Sequence, residues 1–257
     1  MLHFKRVSRA AARGRGPSKQ ASEIPFLRLQ ELSDAPTPLS HLGPCHPRRF
    51  AVVSAWWMLR EIEASNLTVN CITLEESAAH ILLPASKTDP SGTGTSRTLC
   101  CTCSSTPSSL CPFHVLELQW QWASSLASSC PTSPLFPTTS GLPATKKCVV
   151  ETICCMAKHL GLAEQTNLGA PRFTGHTFRV TGAMWMASSG IDIWRIQLHG
   201  RWASSAVLKY VPLAPLARSL SLEVSLGRDL SHVRVAIIEA KATSAGTQAP
   251  SLPLQNT

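Results

Sequence analysis

The chain has 257 residues, 44% of them hydrophobic and 15% charged, which suffices for one core of ordinary domain size or at most two small ones. Lys and Arg number 24 against 15 Asp and Glu, a formal charge of +9 that suits a polyanionic partner. There is no run of about eighteen apolar residues to span a membrane. The ten cysteines follow no hydrophobic signal core and have no even spacing over a small scaffold, so they read as reduced thiols rather than a secreted disulfide framework.

In chain order, residues 1–22 hold Lys5, Arg6, Arg9, Arg13, Arg15 and Lys19 with no acid, the composition of a disordered basic arm. Such an arm could lie along nucleic-acid phosphates, serve as an acid-poor organelle transit peptide, or be a solvated tail. Residues 34–47 are rich in Pro, Ser and Gly and read as a linker, so residues 1–47 are expected to be arm and linker, with the folded domain over 48–224. Apolar residues three and four apart predict a helix over 50–64. Two aliphatic and β-branched runs, 67–74 and 79–84, are split by Glu75-Glu76-Ser77 and predict an antiparallel ribbon, with residues 96–101 as a third strand. Helices are expected over 115–126 and 146–160, the second stopped by Gly161, with a Ser/Pro/Thr-rich loop over 128–143. A further helix over 176–188 puts Val180, Ala183, Met184 and Ala187 on one face and is stopped by Gly190. Ile191, Trp194 and Leu198 mark a short helix. Ser204 or Ser205 can cap another, carrying Val207, Leu208 and Tyr210 and ending before Pro212. The pattern fades past residue 224, leaving 225–257 as a poorly ordered tail. The expected class is α+β, mainly α, with a small antiparallel β ribbon.

Tyr210 is the only tyrosine. Ahead of it stand His176-x-x-Arg179 and the turn His199-Gly200-Arg201-Trp202. On a helix, His176 and Arg179 share a face and can reach one phosphate together. A guanidinium suits that task because its planar fork donates two parallel hydrogen bonds and never deprotonates. This arrangement resembles the C-terminal motif of the tyrosine recombinases, the phage integrase family. Two upstream features fit the same family: Arg60-Glu61-Ile62-Glu63 stands where it carries Arg-x-x-Glu before a β ribbon, and Lys87 falls in the turn between the second and third strands, where the family has a lysine.

The resemblance implies DNA strand cleavage and rejoining without metal, cofactor or ATP. Tyr210 would attack a DNA phosphate to form a 3′-phosphotyrosyl link, Arg60 and Arg179 would clamp the non-bridging oxygens, His176 would act as acid/base partner, and Lys87 would protonate the leaving 5′ oxygen. Glu63 would orient the arginines. Arg201 stands where family members have His or Trp and would bind phosphate in their place; His199 and Trp202 can each donate a hydrogen bond to DNA and are counted as DNA-facing, Trp202 also reading as a packing residue and the exact role of His199 being open. The implied partners are duplex DNA and further protomers on it, and a DNA substrate implies the nucleus or nucleoid. The family's usual helical N-terminal clamp domain has no counterpart in the sequence as read. Two other outcomes stay open: a type IB topoisomerase, which reseals the same strand, and a DNA-binding remnant of a mobile element that no longer cuts.

Cys100-x-x-Cys103 followed by Cys111-x-x-His114 has the ligand types and pair spacing of a structural zinc site, although only seven residues intervene and Cys101 competes. The other reading is reduced thiols in an inserted loop.

Overall fold

The computed structural model describes residues 21–83, 94–126, 130, 132–202 and 207–208. Its central element is α1 (Pro47–Trp56). Proline at its start costs nothing, because the first N–H groups of a helix lack intrahelical partners anyway. Phe50, Ala51, Val52, Val53, Ala55 and Trp56 are all buried, so α1 is apolar on every side and must be wrapped by other elements.

The wrapping begins earlier in the chain than the sequence suggests. Within the stretch expected as arm and linker, Ile24, Leu29 and Leu32 are fully buried, and a 3-10 turn (Phe26–Glu31) stacks Phe26 on Trp185 at 4.6 Å and sets it edge-on to Trp56 at 5.3 Å. The Ile24 N–H donates to Thr181 Oγ1 at 3.0 Å. The segment is too short and too proline-flanked to show a helical period; tertiary packing, not local pattern, orders it. The proposed arm lies, up to residue 20, outside the described residues, as does the boundary at 224.

The helix expected over 50–64 is two helices. After Trp56 the Met58 N–H bonds to the Ala55 carbonyl at 3.1 Å and the Leu59 N–H to the Ser54 carbonyl at 2.8 Å, the pair of closing bonds of a Schellman turn. Met58 occupies the left-handed position with φ 48°, where glycine is usual and a side chain costs roughly 1–2 kcal/mol. Complete burial of the Met58 side chain offsets that cost. The chain then re-enters a helix as α2 (Glu61–Asn66), capped by Arg60, whose backbone N–H donates to the Glu63 carboxylate at 2.8 Å.

The ribbon is a three-stranded antiparallel sheet in the order β1 (Ile72–Leu74), β2 (Ala78–Leu83), β3 (Thr95–Cys100). β1 is shorter than expected because Val69–Cys71 form a 3-10 turn. The register sets Ile72 opposite Ile81, Ala78 opposite Cys100 and Leu83 opposite Thr95. Alternation buries Ala79, Ile81, Leu83 and Leu99 on the face turned to the core. α3 (Pro112–Leu126) packs on this sheet and on α1.

α4 (Lys146–His159) is capped by Thr145, whose hydroxyl accepts from the Cys148 N–H at 3.2 Å, and Gly161 follows it at φ 66°. α5 (Thr177–Ser188) crosses α1 closely at Gly182, where a β-carbon would collide with the Ala55 carbonyl oxygen. α6 (Ile193–His199) completes the described helices. The architecture is the mainly α, α+β class expected. Among the described residues no disulfide joins the cysteines and no helix is long and apolar enough to cross a membrane.

Candidate active site

Glu63 sits in the first turn of α2 with its side chain only 8% exposed, and three arginines converge on it, one from the same turn and two from distant parts of the chain. Arg201, in the turn after α6, places Nη2 at 2.7 Å from Oε2; Arg60, the α2 cap, places Nη1 at 3.1 Å from Oε1; Arg179, in the first turn of α5, places Nη1 at 3.7 Å from Oε2. The Met58 carbonyl, turned outward by the left-handed residue, is a second collecting point, accepting from Arg179 at 3.3 Å and from Arg201 at 3.5 Å. Arg179 also donates to the Gly200 carbonyl, and its guanidinium carbon stands 4.7 Å from the Trp202 ring centroid, a cation–π contact.

Three guanidinium groups around one carboxylate leave an excess of positive charge in a mostly desolvated place, which an anion would relieve. Burial pulls the Arg201 guanidinium below its ordinary pKa, opposed by Glu63. Arg97 of β3 lies close enough to Arg201 to feel it: burial first, and Arg201 second, lower its pKa to about 10. Arg97 donates to the last carbonyls of α6, Leu198 at 2.9 Å and His199 at 3.4 Å, tying the sheet to the helix that precedes Arg201.

Above this layer, Arg60, His176, Arg179, Val180 and Trp202 line one cleft of about 80 Å³. His176 caps α5, so the positive end of the helix dipole faces the same space. Its ring is half exposed, and Nδ1 lies 3.9 Å from Glu61 Oε2. Burial lowers its pKa below the ordinary histidine value, with Arg60 and Arg179 adding to that and Glu61 opposing it, which favours neutral imidazole at pH 7.

The structure therefore brings Arg60, His176, Arg179 and Trp202 together, with Glu63 beneath them as the ordering carboxylate and not as a surface toward DNA. Two expectations are corrected. Arg201 does not line the cleft: its side chain is 6% exposed and turned inward onto Glu63, because its own left-handed backbone, φ 57°, follows the Gly200 turn. His199 is not a DNA-facing group: it is buried, its Nε2 lies 2.7 Å from the Trp56 carbonyl, and desolvation lowers its pKa to about 4. A carbonyl accepts only from N–H, so the neutral ring carries its proton on Nε2. Lys87 and Tyr210 lie outside the described residues; Val207, three positions before Tyr210, is fully buried in the main core.

Sequence reasoning missed Met58 and Arg97. Nothing in the local sequence marks a methionine for a left-handed turn. Arg97 stood at an alternating position on a strand, where a cation ordinarily faces water.

No protein-family model and no curated protein matches this chain. Solved structures do. The chain is similar to the XerH site-specific recombinase bound to palindromic difH substrate in a post-cleavage complex, with a TM-score of 0.53 and 15% identity over 80% of this chain and 52% of that one. It is also similar to a lambda integrase dimer bound to a COC′ core site, with a TM-score of 0.52 and 15% identity over 79% of this chain and 51% of that one. The chain spans about half the length of these recombinases, and at this identity the likeness is one of fold: that of the tyrosine recombinase catalytic domain.

Proposed function

We propose that this chain binds duplex DNA and cleaves and rejoins its strands through a 3′-phosphotyrosyl intermediate, as in DNA recombination or integration. The observation that carries the reading is the convergence of Arg60, His176 and Arg179 on one cleft over a shared carboxylate. It has the dimensions and charge for a single phosphodiester group, and two structures of similar fold were captured on DNA.

In this reading the Tyr210 oxygen attacks phosphorus as neutral His176 accepts the phenolic proton. Arg60 and Arg179 hold the non-bridging oxygens as charge builds on them. The phosphorus to 5′-oxygen bond breaks and Lys87 delivers the proton that the leaving oxygen needs. The bond energy is conserved in the phosphotyrosyl link, so a second strand's 5′ hydroxyl reverses the step without ATP. Further protomers on the same DNA would supply that strand.

A nicked suicide substrate tests this, since it traps the covalent adduct for a denaturing gel. The expected result is an adduct in the parent chain and none in Tyr210→Phe. The inward turn of Arg201 favours a second reading, because the position that should supply one more phosphate donor is sealed onto Glu63. In that reading the chain is a DNA-binding remnant of a mobile element, and it would retain DNA while forming no adduct.

A further inference from the structure

Outside the arginine cleft, Cys101, Cys103, Cys111 and His114 bring their ligand atoms within 4.8 Å of one another. Cys101 and Cys103 follow the end of β3, Cys111 immediately precedes α3, and His114 lies in its first turn, so the group spans the junction between the sheet and α3. His114 Nδ1 lies 3.7 Å from Cys101 Sγ, 3.5 Å from Cys103 Sγ and 3.3 Å from Cys111 Sγ, and Cys101 Sγ is 3.8 Å from Cys111 Sγ. A tetrahedral ion with metal–sulfur bonds of about 2.3 Å and metal–nitrogen bonds of about 2.0–2.1 Å requires sulfurs about 3.8 Å apart and nitrogen about 3.5 Å from each sulfur. The three nitrogen–sulfur distances and the Cys101–Cys111 sulfur pair agree with this to about 0.2 Å, and the remaining sulfur pairs lie within 4.8 Å.

Backbone N–H groups point at the sulfurs as they do around metal-bound thiolates. Thr102 N–H donates to Cys111 Sγ at 3.4 Å, Cys103 N–H to Cys101 Sγ at 3.4 Å, and Ser108 N–H to Cys103 Sγ at 3.2 Å. The loop is fixed from the core side as well: Leu110 is buried, and its carbonyl accepts from Trp56 Nε1 at 2.8 Å.

We propose that Cys101, Cys103, Cys111 and His114 bind one structural zinc ion that clamps the end of β3 to the start of α3. Three thiolates and one imidazole in tetrahedral array select zinc over the harder divalent ions. Four protein ligands close the coordination shell, so the ion leaves no open position for water or substrate. The structure also corrects the ligand set suggested by spacing alone: Cys101 takes the place of Cys100, the last residue of β3, paired across the sheet with Ala78.

The full-length chain, purified without chelator, is expected to hold one zinc per chain by elemental analysis, and replacement with Co²⁺ should give the visible spectrum of a tetrahedral site with three thiolates. Cys101→Ser should lose most of the metal and Cys100→Ser keep it. Because removing a ligand could unfold the loop, His114→Cys provides a second check: it should retain one Co²⁺ and strengthen the thiolate charge-transfer band. Absence of bound zinc together with no tetrahedral cobalt spectrum would overturn the proposal. So would a disulfide in place of metal in the intact mass, equal metal loss in Cys100→Ser and Cys101→Ser, or an unchanged spectrum in His114→Cys.

Discussion

Glu63→Gln isolates the charge on which the site is built. Glutamine keeps the shape and can still accept from the Arg60 N–H, but it removes the negative charge that Glu63 sets against Arg179 and Arg201, whose side chains are 4% and 6% exposed. Breaking a buried ion pair from one side costs about 3–5 kcal/mol, because the surviving charge stays desolvated. Arg60, at 24% exposure, adds little to that through solvent screening. A loss of this size is a large share of a typical folding stability of about 5–15 kcal/mol and should lower the urea midpoint clearly while leaving the chain folded. A purely structural loss would stop there. If the cleft is an anion site, the variant gains net positive charge beside it, so inorganic phosphate should bind more tightly and restore stability. At a hundredfold excess over the dissociation constant, the recovery is about 2.7 kcal/mol. Urea titrations of both proteins across a phosphate series at fixed ionic strength measure this. A variant within about 0.5 kcal/mol of the parent, or a deficit that phosphate leaves untouched, would refute the reasoning.

Arg60→Lys keeps a cation but loses the two-pronged donor, so adduct formation on the suicide substrate should slow by about 10²–10³ while DNA retention changes far less; equal losses in both would argue for a binding role alone. The His199 pKa of about 4, below the ordinary 6.5, means that between these values the unfolded chain binds the proton and the native chain does not. Stability is therefore full above pH 6.5 and lost as pH falls toward 4, by about 3 kcal/mol from this group, and His199→Gln should flatten that limb of the stability profile. Gly182→Ala would ordinarily stabilise a helix by about 1 kcal/mol, yet here it should lower the melting temperature, because the new methyl meets the Ala55 carbonyl; overpacking of this kind costs about 1–3 kcal/mol.

Elements with local signals were readable from sequence to within a residue or a few. α4 begins after Thr145, which caps it, and Gly161 follows its end; β2 buries every second residue from Ala79 to Leu83, and both β2 and β3 end within a residue of the expected bounds. The unreadable parts were set by distant contacts. Phe26, Leu29 and Leu32 repeat every three residues over too short a stretch to signal a helix; Ile24 is fixed by Thr181, Phe26 by Trp56 and Trp185, and all four join the main core. Cys100 and Cys101 are chemically identical neighbours, and only where β3 ends decides which sulfur joins His114. Of the candidate site, Arg60, His176 and Arg179 were singled out through the resemblance to the tyrosine recombinase motif rather than by spacing alone, and they line one cleft, whereas the inward turn of Arg201 depends on a positive φ that no neighbouring residue announces.

The break at Met58 links these two classes. Had α1 run on to residue 64, the Met58 carbonyl would have been consumed by an intrahelical bond four residues on, and could not have collected Arg179 and Arg201. Arg60 would then have been an ordinary helical side chain three residues from Glu63, a favourable but weak surface pair. The Schellman turn instead makes Arg60 a cap, brings Glu63 to its backbone N–H, and aims both at the start of α5. Local strain of roughly 1–2 kcal/mol at one methionine is thus the structural origin of the arginine cluster, and it persists because the buried Met58 side chain and the two guanidinium bonds to its carbonyl hold that conformation from both sides.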